Sequence, residues 1–127
     1  TPQEDAQALR WSFWTVTELE KDALTVLMHR RVMPEAQRKG DLADAAEKRL
    51  RQPLAVLEAE LLAQQVRGGA WLAGSRFTVA DLCVASVLAW TLPARALLAQ
   101  HPVSTEWLER CLARPAQRAM RALARQG

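Results

Sequence analysis

A chain of 127 residues with 50% hydrophobic content is long enough to bury roughly two-thirds of its unfolded surface around one core, and too apolar to be disordered. Alanine (23) and leucine (19) dominate, isoleucine and tyrosine are absent, and Gly plus Pro total 11, so the raw material of a sheet is scarce and an all-α fold is expected. The net charge of +3 is mild and excludes a strongly polybasic or acidic protein.

The chain opens on Thr1-Pro2 without a methionine, which predicts an excerpt or a processed product. From Gln3 to about Val32, Leu9, Phe13, Val16, Leu24 and Leu27 recur at helical intervals, and Met33-Pro34 supplies the stop. Glu35 to Gly40 reads as an exposed connection, with Asp41 as the cap of a second helix that runs through Leu50, Leu54, Leu57, Leu61 and Leu62 to Val66. Pro53 inside it should kink or split it, because proline removes a backbone donor and crowds the preceding turn.

Trp71-Leu72-Ala73-Gly74 is too short for a helix and leads into a turn. Thr78-Val79-Ala80-Asp81 then spells a capping box, with Phe77 before the cap and Leu82 at the fourth helical position as a hydrophobic staple. The run Leu82, Val84, Ala85, Val87, Leu88 behind it is apolar nearly all round and predicts a buried central helix that ends before Pro93. Short helices over Ala94 to Gln100 and Val103 to Ala113, and a last one beginning at Pro115, complete the expected bundle.

Five arginines, Arg110, Arg114, Arg118, Arg121 and Arg125, follow Glu109 with no acid among them, so the rest of the chain sums to 3 − 5 = −2. They lie on one helical face with no aromatic residue between them, the pattern of a solvated face rather than of a nucleic-acid surface. No apolar run reaches the 18 or more residues of a membrane span, and Val79 to Leu92 is interrupted by Asp81. Cys83 and Cys111 lack metal-site spacing and read as inert buried thiols in a reduced, cytoplasmic setting. No metal site is expected. His29 is isolated, and His101 before Pro102 reads as solvent-facing.

The string Trp71-Leu72-Ala73-Gly74-Ser75-Arg76-Phe77-Thr78-Val79-Ala80-Asp81, followed by Ala85-Ser86-Val87-Leu88-Ala89-Trp90, resembles the central motif of the C-terminal helical domain of glutathione transferases, bacterial members above all. Trp107-Leu108-Glu109-Arg110-Cys111-Leu112-Ala113-Arg114-Pro115 resembles that family's closing segment, and Trp11 through Glu20 its first helix, so the resemblance covers essentially the whole chain. It implies a helical bundle of five to six helices spanning residues 1–127 as one domain. In the complete protein, the resemblance implies, this domain would follow a thioredoxin-like domain of about 80 residues that is expected to be absent from this chain. That domain would hold glutathione, the co-substrate, and supply the Ser, Tyr or Cys at the sulfur, so no catalytic residue and no cofactor is expected in this chain. The helical part would form one wall of a hydrophobic co-substrate pocket and part of a homodimer interface, for conjugation or reduction of an electrophile. The alternative is a non-catalytic protein-interaction module of the same fold.

Trp11, Trp14, Glu18 and Lys21 follow the spacing of one helical stripe, and with Trp90 they are the candidates for the pocket wall. The tryptophans could equally pack on the thioredoxin-like domain or a second subunit, leaving an exposed apolar patch at Trp11 and Trp14 in the isolated domain, while Glu18 and Lys21 pair on the surface. In one bacterial class the positions matching Glu20 and Lys21 are a His-Lys pair near the sulfur. Glu20 departs from that pattern, since a carboxylate would raise a neighbouring thiol's pKa. Asp81 is assigned a structural role, held by backbone N–H groups at its own helix start and the preceding turn.

Overall fold

The computed structural model describes residues 1–114 and Leu123; the helix expected from Pro115, with Arg118, Arg121 and Arg125, lies outside the described residues. The first 32 residues form one long rod. Its α-helical segments α1 (Pro2–Trp14) and α2 (Glu20–Leu27) are joined by a π-helical turn over Thr15–Leu19, and a second π-turn, Met28–Val32, closes it. Two threonine hydroxyls accompany the first of these turns. Thr15 Oγ1 donates to the carbonyl of Trp11 at 2.7 Å and Thr17 Oγ1 to that of Phe13 at 2.8 Å, so hydroxyls occupy carbonyls that serve the backbone ladder. The ladder skips one residue, and the N–H of Glu20 donates to the carbonyl of Thr15.

Which face of the rod is buried differs from the expectation. Trp11, Thr15, Leu19, Ala23 and Val26 point into the core, whereas Leu9, Phe13 and Val16, three of the residues that define the apolar period, lie on the outside. Phe13 is 64% exposed and Trp11 only 1%, so the exposed apolar face belongs to Leu9, Phe13 and Val16 and not to Trp11. Both stripes have helical spacing; the rod carries two apolar faces, and periodicity alone does not say which one the core takes.

After Pro34 and a 3₁₀ turn at Glu35–Gln37, α3 (Gly40–Val66) returns antiparallel to the rod. Asp41 sits in its first turn and does not cap it. The N–H of Lys39 instead donates to Nδ1 of His29 at 3.0 Å, so a histidine that looks isolated in the sequence closes the junction. Pro53 does not split α3, which is continuous through it. Ala46, Leu50, Leu54, Leu57 and Leu61 line its buried face. Ion pairs tie the two rods along their length: Arg10 to Glu60, Asp22 to Arg49, and Arg30 to both Asp44 and Glu47.

Helix α4 (Val79–Leu88) is the central element, with Ala80, Asp81, Val84, Ala85 and Leu88 buried. A 3₁₀ turn at Ala89–Thr91, a short α5 (Arg95–Ala99) and α6 (Pro102–Leu112) follow. No strand occurs among the described residues; Trp71 and Gly74 form an isolated antiparallel bridge. The loop that leads to it turns at Gly68, whose φ of 86° lies in the left-handed region. A Cβ on Gly69 would meet the carbonyl oxygen of Gly74 at 2.8 Å, so the close approach of the two loop strands requires glycine there.

His101 is not solvent-facing. It is 7% exposed, and its Nδ1 lies 3.0 Å from the carbonyl of Leu97, closing the end of α5. Glu58 of α3 supplies what the start of α6 lacks. Its carboxylate accepts from the N–H of Val103 at 3.0 Å and from the N–H and hydroxyl of Ser104 at 2.7 and 2.8 Å, capping α6 from a neighbouring helix where its own N-cap, His101, makes no side-chain capping bond.

Candidate functional site

The capping box forms at the start of α4. Thr78 Oγ1 accepts from the N–H of Ala80 at 3.3 Å, and Asp81 Oδ2 accepts from the N–H of Thr78 at 3.0 Å. Asp81 Oδ1 does more than a cap requires: it accepts from the N–H of Leu72 at 2.9 Å and from the indole N–H of Trp107 at 2.8 Å. One fully buried carboxylate therefore joins the 71–74 loop, α4 and α6, and three charge-assisted donors offset its desolvation. Phe77 stands edge-on to Trp71 at 5.4 Å, with Arg110 over the Trp71 ring and Arg114 over Phe77 at 3.8 Å. Leu82, the other half of the expected staple, is 40% exposed.

The five pocket candidates go to four different places. Trp11 is core, its ring 5.1 Å from that of Trp14 in an edge-on arrangement. Trp14 and Glu18 line an open cleft of about 500 Å³ between the rod and α3, together with Thr17, Asp22, Arg49, Gln52, Pro53 and Val56. Lys21 is exposed at the start of α2 and shares no ion pair with Glu18 among the described residues. Trp90 is half-buried against the core, in the turn that packs on α2. Trp11 and Trp14 already diverge within α1, three residues apart on an ordinary helix, whereas Trp14 and Glu18 stay on one side across the π-turn.

The α4 side of the rod carries a feature outside the five pocket candidates. Rod and α4 run parallel: Arg76, just before α4, holds Glu4 near the start of α1, Ser12 Oγ lies 3.5 Å from Cys83 Sγ, and the turn with Trp90 reaches α2. Leu9, Phe13 and Val16 flank Ser12 on the outside, and Val79 and Leu82 precede Cys83 on the outer side of α4. All five are exposed, so two neighbouring helices each present apolar side chains to the outside, beside the seam at which Ser12 meets Cys83. The signal was in the sequence, since Leu9, Phe13 and Val16 are as periodic as Trp11, Thr15 and Leu19. Cys83, read as buried, is half-buried at this seam.

Electrostatics around the seam are local. The hydrogen bonds from the Arg76 guanidinium hold the Glu4 carboxyl below its ordinary 4.5. Burial, with the nearby Asp81 charge, pushes the Cys111 thiol up to about 12, so it is no nucleophile. Among the described residues no group of His, Cys, Asp and Glu could hold a metal ion, and no helix is long and apolar enough to cross a membrane.

The family model described as glutathione S-transferase, C-terminal domain, matches residues 19–115. The chain belongs to this family. Solved structures agree with the assignment: an apo glutathione S-transferase III is 27% identical with a TM-score of 0.76, the match covering 92% of this chain and 54% of that one. A glutathione S-transferase I bound with lactoylglutathione is 22% identical, TM-score 0.80, over 97% of this chain and 58% of the other. Glutathione transferase F2 from Populus trichocarpa shares the fold at 17% identity and a TM-score of 0.82, over 100% and 59%. The glutathione S-transferase domain described here thus spans between 54% and 59% of the length of these neighbours. No curated protein sequence matches the chain.

Proposed function

We propose that this glutathione S-transferase C-terminal domain works as the half of a glutathione transferase that shapes the co-substrate pocket, with a thioredoxin-like domain as its partner and the assembled protein a homodimer. The observation that carries the reading is the seam of Leu9, Phe13, Val16, Val79 and Leu82. Monomeric proteins rarely leave several large apolar side chains together on two adjacent helices without a partner surface. The solved relatives carry further chain beyond the part this domain superposes on, and a second domain is the occupant that fits the seam.

The pocket wall is assigned to the other end of the same side, where the Trp90 turn meets α2. A half-buried indole offers a flat apolar surface to an aromatic electrophile. Glutathione, bound by the partner domain, supplies the thiolate; this chain supplies the surface that holds the electrophile in front of it and no group that reacts. Trp11 contributes from the core by supporting the rod, and Trp14 and Glu18 open toward α3 instead.

The test is glutathione conjugation to 1-chloro-2,4-dinitrobenzene by the natural protein that contains this chain, followed at 340 nm. Phe13→Asp is expected to abolish conjugation while leaving the helical circular dichroism intact, and Trp90→Ala to raise KM for the electrophile with KM for glutathione unchanged. Full activity in Phe13→Asp, or absence of any glutathione-dependent reaction across electrophiles and peroxides, would overturn the reading.

A further inference from the structure

Carboxylates withdrawn from solvent in this domain have partners, with one exception. Glu4, Asp22, Glu47 and Glu60 pair with arginines, Glu58 caps α6, and Asp81 joins the 71–74 loop, α4 and α6. Glu20 is the exception. It is half-buried, and among the described residues it takes part in no ion pair and no side-chain hydrogen bond. Withdrawing a carboxylate from water without a partner is unfavourable, so its position calls for a complement from outside these residues.

Glu20 lies on the α4 side of the rod. Ser12 touches Cys83 there, and Val16 and Glu20 follow Ser12 at intervals of four, the spacing that keeps residues on one side of a helix. Across the same π-turn that interval keeps Trp14 and Glu18 together on the α3 side. The height along the rod is fixed as well. Rod and α4 run parallel, and Glu20 lies as far beyond Ser12 as Trp90 lies beyond Cys83, to within one residue. Each helix has advanced about 10–12 Å from the Ser12–Cys83 contact, which brings Glu20 level with Trp90. The Trp90 turn packs on α2, of which Glu20 is the first residue. Val16, one turn before Glu20, and Leu24, one turn after it, are both exposed. A single negative charge is thus set into an apolar strip beside an indole.

We infer that Glu20 sets the charge preference of the co-substrate site: it selects electrophiles that carry a cationic group and disfavours anionic ones. The inference rests on the pocket reading given above and adds the substrate class to it. Trp90 favours the same choice, since the face of an indole attracts a cation. Lys21, exposed at the next position round the helix, makes no ion pair with Glu20 among the described residues. The bond-making step does not involve Glu20. The thiolate of glutathione adds to the electrophilic carbon and the leaving group departs with its electron pair, as chloride from an aryl chloride. Glu20 takes no proton and forms no bond; it acts on the charge that the electrophile brings.

The experiment measures kcat/KM of the natural protein that contains this chain with three aryl chlorides built on one ring: 4-chloro-3,5-dinitrobenzamide, its cationic N-(2-trimethylammonioethyl) derivative, and the anionic 4-chloro-3,5-dinitrobenzoate. Each value is normalised to the uncatalysed reaction with glutathione. The expected order is cation, neutral, anion, compressed by added salt. Glu20→Gln, close to isosteric and uncharged, should lower the cation-to-anion ratio about tenfold, that is about threefold for each charge, the range of one partly exposed charge pair. Glu20→Lys should invert the order. An unchanged ratio in both variants would overturn the inference. So would a rise in KM for glutathione, or a shift of the pH–rate profile shared by all three electrophiles, in Glu20→Gln, because the carboxylate would then face glutathione or its sulfur. A uniform loss of kcat/KM with all three would place Glu20 against the partner domain and overturn it too. Absence of glutathione-dependent turnover with all three fails the pocket reading and this inference with it, whereas turnover without a charge preference fails this inference alone.

Discussion

The indole N–H of Trp107 donates to Oδ1 of Asp81 at 2.8 Å, and neither side chain has any exposed surface. The same oxygen accepts from the N–H of Leu72, and Oδ2 from that of Thr78. Removing the carboxylate strands two fully buried donors, and each buried donor without a partner costs about 1–3 kcal/mol. Asp81→Ala is therefore expected to destabilise the domain by about 3 kcal/mol or more. Thr78→Ala, which loses one hydroxyl acceptor at the helix start, should cost about 1 kcal/mol. Thermal or urea unfolding of the two variants checks the ratio; equal losses would mean that Asp81 acts only as a cap.

Glu58 poses the same question for α6. Three donors at the start of that helix converge on its carboxylate, and the favourable helix dipole points the same way. Glu58→Ala should lower stability by about 2 kcal/mol, and Glu58→Gln by about half as much, because the amide oxygen still accepts but carries no charge. Urea midpoints followed by far-ultraviolet circular dichroism measure both. A loss in Glu58→Gln as large as in Glu58→Ala would show that charge, rather than the acceptor, is what α6 needs.

Cys111 links the core to pH. In the folded domain its thiol is pushed from 9.0 up to about 12 by burial. Above pH 9 the unfolded chain releases this proton while the folded one keeps it, so the unfolded state binds fewer protons and stability falls as pH rises. The contribution is complete below pH 9 and lost as pH approaches about 12. Cys111→Ala should flatten that part of the stability profile. Iodoacetamide at pH 8 should leave Cys111 unmodified in the native domain and label it in urea, which mass spectrometry reads directly.

Much of the architecture was legible because local signals and tertiary packing agree. The capping box at Thr78 and Asp81 and the leucines of α3 each mean the same thing alone and in the fold. The misreadings come from contacts that no single-residue pattern names. His29 meets Lys39 across a turn, and the ring of His101 turns back onto the carbonyl of Leu97 at the end of α5. Nothing near Asp81 announces Trp107, 26 residues away. The candidate pocket stripe Trp11, Trp14, Glu18, Lys21 assumed an unbroken α-helical period. Trp11 and Trp14 part within α1 itself, Trp14 and Glu18 stay together across the π-turn Thr15–Leu19, and Lys21 beyond it is exposed; which side of a stripe the core takes is set by the neighbouring helices, which a linear pattern does not contain.

Trp11 and Phe13 are two residues apart and face opposite environments, so they separate the two apolar faces of the rod. Trp11 is 1% exposed and its indole N–H has no partner, so its contribution is volume and contact, not a hydrogen bond. Trp11→Ala should cost about 3–5 kcal/mol as a cavity in the core, and Trp11→Phe far less, because the substitution also removes a buried donor that nothing accepts. Phe13→Ser should change stability by no more than about 0.5 kcal/mol, yet lower the binding of 1-anilinonaphthalene-8-sulfonate and any self-association of the chain. Urea unfolding and light scattering on the three variants make the comparison. A Phe13→Ser variant as unstable as Trp11→Ala would place Phe13 in a packed interface within the chain and remove the basis for a docking seam; a stable variant with lost dye binding locates the seam on the α4 side of the rod.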